Sequence, residues 1–117
     1  MATAKPRRPS TPAGLQAEGR AFWRAIVTEY ELADHELVIL KEACRTIDLL
    51  DSLQAAIDSD GPLQPWGDGL RQHPAVPASR DHRIALARLM AALGIPGDEE
   101  DQPRRGSRGV YRMGTRR

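Results

Sequence analysis

Apolar residues recur along this chain at intervals that change several times. From Leu15 the spacing is helical: Leu15, Phe22, Ile26 and Tyr30 fall on one stripe, which Trp23 and Val27 widen. The pattern predicts a first helix over about residues 14–30. Leu32-Ala33-Asp34 interrupts it, and Asp34 is suited to cap a second helix, with Glu36 near the positive end of its dipole. That helix is expected over about residues 36–58, a rod of roughly 35 Å. Its apolar positions form two stripes. One runs through Leu37, Leu40, Cys44, Ile47, Leu50 and Ile57, the other through Ile39, Leu49, Leu53 and Ala56. Two stripes need cover on two sides, from neighbouring helices of the same chain or from a second chain.

Asp60-Gly61-Pro62 ends the rod. Leu63, Trp66 and Leu70 then surround Gly67-Asp68-Gly69, which reads as a small β-hairpin or loop with Trp66 as a packing plug. His73-Pro74-Ala75-Val76-Pro77 reads as an extended connector. Ser79 is placed to cap a third helix over about residues 80–93, buried through Ile84, Leu86, Leu89, Met90 and Leu93. Gly94 follows at the C-cap and Pro96 forbids continuation. The fold class expected is mainly α, with a three-helix core built on a long central helix.

The flanks have no such periodicity. Pro6, Pro9 and Pro12 with Ser10, Thr11 and Gly14 mark residues 1–13 as an extended, disordered basic arm. Residues 97–117 hold only Val110, Tyr111 and Met113 as apolar content beyond Pro103 and are expected to be disordered alone. The domain organisation is therefore an arm over 1–13, a helical oligomerisation core over 14–96 and a tail over 97–117.

Composition sharpens this picture mainly through charge. The net charge of the 117 residues is only +1, but its distribution is uneven. Residues 1–20 carry Lys5, Arg7, Arg8 and Arg20 against Glu18, whereas residues 21–97 hold seven Lys/Arg against eleven Asp/Glu. Asp98 to Asp101 are all acidic, and residues 102–117 hold six arginines and no acid. An acidic body sits between two basic ends. The acidic run reads as a solvated hinge, with folding over the arginines in the absence of DNA as the alternative. No apolar run approaches the ~20 residues of a membrane span, and no signal-peptide stretch opens the chain, so a soluble protein of a reducing compartment is expected.

Chemistry is sparse. One cysteine excludes an internal disulfide and a Cys-based zinc cage. His35, His73 and His82 stand too far apart for a metal site and read as surface histidines, while Cys44 reads as an inert core thiol. Asp58, Asp60 and Asp68 read as turn-flanking acids, there is no phosphate-binding Gly-x-x-x-x-Gly-Lys-Ser/Thr run, and no serine has a base at a recognisable spacing. Neither a metal nor a cofactor is expected. The residues argue against an enzyme and leave binding. Lys5, Arg7 and Arg8 in one arm and Arg104, Arg105, Arg108, Arg112, Arg116 and Arg117 in the other are the candidate DNA contacts, since arginine pairs with phosphate and stacks on bases. A solubilising tail or a docking peptide for an acidic partner is the other use of such an arm. Ile39, Leu40, Ile47, Leu49, Leu50 and Leu53 are the candidate subunit contacts.

The order of these elements resembles a known family. Leu15, Gly19, Phe22, Trp23 and Ile26 precede a long helix with Leu40, Ala43, Cys44, Asp48 and Leu53. Asp60-Gly61, His73-Pro74, a helix with Arg80, Arg83, Leu86 and Leu89, and a close on Leu93-Gly94-Ile95-Pro96 follow. Over residues 12–97 this is similar to the small terminase subunit of tailed bacteriophages, in the group with a tryptophan in the first helix. The resemblance implies a non-catalytic partner of the large terminase subunit, which supplies ATPase and nuclease. It also implies a homo-oligomeric ring of about eight to twelve copies, binding to viral double-stranded DNA, and work in the host cytoplasm without a membrane. Many members carry an N-terminal helix-turn-helix, for which residues 1–14 leave no room, so the basic arms become the DNA contacts by elimination. A small dimeric helical DNA-binding regulator or chromatin-like protein is the alternative.

Overall fold

The computed structural model describes residues 8–95 and 110–112. Helix α1 spans Ala17–Glu29, strand β1 Tyr30–Leu32, helix α2 Asp34–Asp60, strands β2 and β3 Leu63–Trp66 and Gly69–Gln72, helix α3 Ala75–Leu93, and strand β4 Val110–Arg112. The fold is mainly helical, with a small antiparallel hairpin between the second and third helices. Residues 8–16 carry no helix or strand. The expectation of disordered arms otherwise lies outside the described residues, except at 110–112. There the backbone pairs as an antiparallel strand with β1, in the register Tyr30↔Arg112, Glu31↔Tyr111 and Leu32↔Val110.

Each helix boundary has an identifiable cause. Gly14 takes φ +90°, a left-handed turn that delays α1 to Ala17 and drops Leu15 into the core. Tyr30 leaves the helix for β1 yet stays buried, so the apolar stripe read through it is correct in burial and wrong in element. Asp34 is not the cap of α2 but its first helical residue. Ala33 holds the N-cap position, and Glu36 reaches back to accept the Ala33 N–H at 2.7 Å, which makes a carboxylate three residues into the helix its stop.

The third helix starts five residues earlier than its apolar period suggests. Pro77 falls in its first turn, where a missing N–H costs nothing, so the last three residues of the supposed connector, Ala75 to Pro77, are helical. Ser79 therefore lies inside α3, buried, and caps nothing. Gly94 ends the helix in the left-handed conformation at φ +69°, and its N–H reaches the carbonyls of Met90 and Ala91.

The core is gathered at one end. Leu15, Trp23, Ile26, Val27 and Tyr30 meet Leu40 and Cys44 of α2 and Leu93 from the end of α3, with Phe22, Leu32, Leu37, Ile39 and Ile95 packed around them. At the other end, Asp60 of α2 contacts His73 just before α3, so the two helices run antiparallel. Helix α1 covers only the first half of α2. No residue of α2 beyond Cys44 is buried.

Candidate assembly and nucleic-acid surfaces

The covered end is fixed by one carboxylate. Helix α1 has no side-chain cap of its own; Asp48 of α2 supplies it, accepting from the Gln16 N–H and the Gly19 N–H, each at 2.7 Å. This contact demands a close approach of the helices. A Cβ at Gly19 would lie 2.6 Å from the Cys44 carbonyl oxygen and collide with the Asp48 carboxylate. Arg20, counted above with the basic arm, donates through Nη2 to the Leu15 carbonyl at 2.6 Å and helps to hold the entry to α1. Beside this contact, the Cys44 thiol is buried. Desolvation, and then the charge of Asp48, push its pKa up to about 12. It is an inert core thiol.

The far end is fixed by His73. Its Nδ1 accepts the Ala75 N–H at 2.9 Å, so Nε2 carries the proton and donates to Asp60 at 2.9 Å. The His73 N–H in turn donates to the Pro62 carbonyl at 2.8 Å, spanning the hairpin. His73 is thus a buried structural residue and not the surface histidine its sequence position suggests. His35 is exposed and His82 half-buried.

The hairpin register pairs Leu63 with Gln72, Gln64 with Arg71, Pro65 with Leu70 and Trp66 with Gly69. Gly67, at φ +60°, occupies the first central position of the two-residue turn, where a type II′ turn requires glycine. Alternation then puts Leu63, Pro65 and Leu70 on one face and Trp66 with Arg71 on the other. The Arg71 guanidinium stacks 3.9 Å from the Trp66 ring centroid. Trp66 is 61% exposed and plugs no core. Its packing partner is a cation.

The candidate subunit contacts divide sharply. Leu40 is fully buried against α1 and is unavailable to a second chain, which removes it from the contact set. Ile39 is half-buried and packed on the same core. Ile47, Leu50 and Leu53 are half-buried, and Leu49 is 41% exposed. Opposite them on α3, Ile84, expected inside, is 48% exposed, while Leu86, Leu89 and Met90 are half-buried. The open apolar surface is therefore the second half of α2, the middle of α3 and the hairpin.

Among the candidate DNA contacts, Arg8 is exposed and Arg112 lies in β4. Lys5, Arg7, Arg104, Arg105, Arg108, Arg116 and Arg117 lie outside the described residues. Among the described residues there is no group of three or more His, Cys, Asp or Glu placed to hold a metal ion, and no helix long and apolar enough to cross a membrane. Sequence reading names Gly19, Asp48, Asp60 and His73 within the family resemblance but gives none of them its contact: the Asp48 cap, the close approach at Gly19 and the Asp60–His73 pair come only from the fold. Only Gly19 gives a signal, since a glycine inside a helical apolar pattern marks close backbone approach.

Compared with protein-family models, with curated proteins and with solved structures, the chain finds no match.

Proposed function

We propose that this chain is a non-catalytic, oligomeric DNA-binding adaptor of the small-terminase kind, acting on a large ATPase/nuclease subunit during packaging of a viral genome. The observation that carries the reading is the unburied apolar half of the α2–α3 pair. Ile47, Leu49, Leu50, Leu53, Ala56 and Ile57 follow Cys44, and none of them is buried although α3 packs alongside. A helical pair with that much apolar surface is stabilised by a further chain, and closed cyclic symmetry covers such a face without leaving a sticky edge. The resemblance over residues 12–97 supplies the rest: a ring of about eight to twelve copies, a large-subunit partner and a DNA ligand.

In this reading Ile47, Leu49, Leu50 and Leu53 meet a neighbouring copy, and the arginines of the two arms hold DNA phosphates. Each ring then presents many basic arms at high local concentration, so weak contacts act together. Phosphate contacts position a protein and carry little base information, so binding is only mildly sequence-selective. The chain itself hydrolyses no ATP and cuts no DNA; it changes those rates in the large subunit.

Titration of a random-sequence duplex by fluorescence anisotropy across a salt series tests this. An arm that neutralises about five phosphates gives a slope of about −4 to −5 in log affinity against log salt. No binding at low salt, or binding indifferent to salt, contradicts it.

A further inference from the structure

The open end carries two exposed helix faces of opposite charge. Residues 46–70 hold five aspartates and no lysine, arginine or glutamate, whereas residues 71–95 hold four arginines against Asp81 alone. On α2, the stripe that passes under α1 as Leu40 and Cys44 runs on beyond the Asp48 cap as Asp51, Ala55 and Asp58, all exposed. On α3, Arg80, Ile84, Ala87 and Ala91 recur at helical spacing and are all exposed, with exposed Arg83 and Arg88 on the flanks. Each face joins small or apolar side chains to one sign of charge.

These charges are not neutralised inside the chain. Among the described residues, no ion pair or hydrogen bond engages the side chains of Arg80, Arg83 or Asp51, and Asp58 accepts only from the Gln54 amide, at 2.9 Å. The Asp60–His73 contact also sets their heights. Counted from that level, Asp58 and Asp51 stand about 3 and 14 Å along α2, and Arg80 and Arg83 about 10 and 15 Å along α3. Side chains lean towards the N-terminus of their own helix, so in this antiparallel pair Arg80 leans towards the level of Asp58, and Asp58 towards that of Arg80. Rotation about an axis parallel to the helices moves no residue along them. One copy's Arg80 and Arg83 therefore meet the next copy's Asp58 and Asp51 at matching heights. A two-fold contact through either face alone would instead set like charge on like.

We infer that copies of this chain assemble head to tail, with the outer face of α3 in one copy seated on the α2 face beyond α1 in the next. Arg80 and Arg83 pair with Asp58 and Asp51 across the contact, and Ile84 adds apolar area beside the arginines. This contact rests on the reading that further copies cover the open end, and it names the two faces that meet. Contacts of this heterologous kind close into a ring when the rotation per copy divides a full turn. Opposite charge on the two faces steers the encounter and fixes its register.

The test follows the mass of the full chain by light scattering at micromolar concentration and low salt, with circular dichroism to follow helicity. Three variants are compared: Arg80→Glu/Arg83→Glu, Asp51→Lys/Asp58→Lys, and all four changes in one chain. The four positions are exposed, so helicity should hold in each. Either double variant sets like charges together and should fall from the assembled mass to 12.9 kDa monomers. The quadruple variant, with both signs exchanged, should regain the mass of the unmodified chain. For the unmodified chain, raising salt from about 50 to about 500 mM should raise the concentration at half-assembly about fivefold or more. Double variants that keep the full mass, a quadruple variant that stays monomeric, or assembly indifferent to salt overturns the head-to-tail contact and leaves assembly through Leu49 and Leu53 standing. An unmodified chain that is itself monomeric overturns both this contact and the assembly reading beneath it.

Discussion

Asp48 does the work of a helix cap from a neighbouring helix, and its removal is the most informative single change. Asp48→Ala leaves the Gln16 and Gly19 N–H groups without their charged acceptor. A loss of about 2–4 kcal/mol is expected by chemical denaturation, since hydrogen bonds to charged groups contribute more than neutral ones. Gly19→Ala should cost at least as much, because the methyl meets backbone as well as carboxylate. Ser79 gives the opposite sign. Its hydroxyl is buried without a partner among the described residues, so Ser79→Ala should be neutral or stabilising by up to about 1 kcal/mol. A helix-capping serine would instead lose about 1 kcal/mol, and the same denaturation curve separates the two. Cys44 should resist alkylation in the folded protein up to about pH 9 and react once unfolded. Its sign with pH follows: the unfolded thiol ionises from its ordinary 9.0 while the folded one stays neutral to about 12. Stability from this group is thus intact below pH 9 and declines between 9 and 12.

At the scale of elements, the two tryptophans make the sharpest contrast. Trp23 is buried in the α1–α2 core and Trp66 is exposed at the hairpin. Trp23→Ala should cost about 3–5 kcal/mol and Trp66→Ala under about 1 kcal/mol, the worth of an exposed cation–π pair. Melting curves of the two variants check this. Nothing in the local sequence of Trp66 distinguishes a plug from a platform; the difference lies in which helix faces the hairpin fails to meet. The helices were legible because their periodicity and glycine stops are local: Gly61 and Gly94 end α2 and α3 where the pattern says they should. Their starts were not. Each start is set by a group outside the expected cap, Asp48 for α1, Glu36 for α2 and His73 for α3. Two of those three are neighbours only after folding or through a turn across proline. Strand β4 was missed for a related reason. A three-residue Val-Tyr-Arg run has no period to read, and its partner lies some 80 residues earlier in the chain.

The whole molecule is lopsided, with a packed end where α1, α2 and α3 meet and an open end of two helices and a hairpin. Of the residues the sequence marks for subunit contact, the fold consumes Leu40 and most of Ile39 in the packed end, leaving Ile47, Leu49, Leu50 and Leu53 on the open one. The two stripes of the long helix were legible, but the fold divides them by end and not by stripe: α1 lands on the first half of both and leaves the second half of both open. The central claim is that the open end is covered by further copies of the same chain. Native mass spectrometry of the full chain at micromolar concentration measures this directly. The subunit mass is 12.9 kDa, and the account predicts a closed assembly of about eight or more subunits. A Leu49→Glu/Leu53→Glu variant should fall to monomers that keep their helical circular dichroism. A dimer of the unmodified chain would favour the small DNA-binding regulator instead, and a stable monomer would contradict the account.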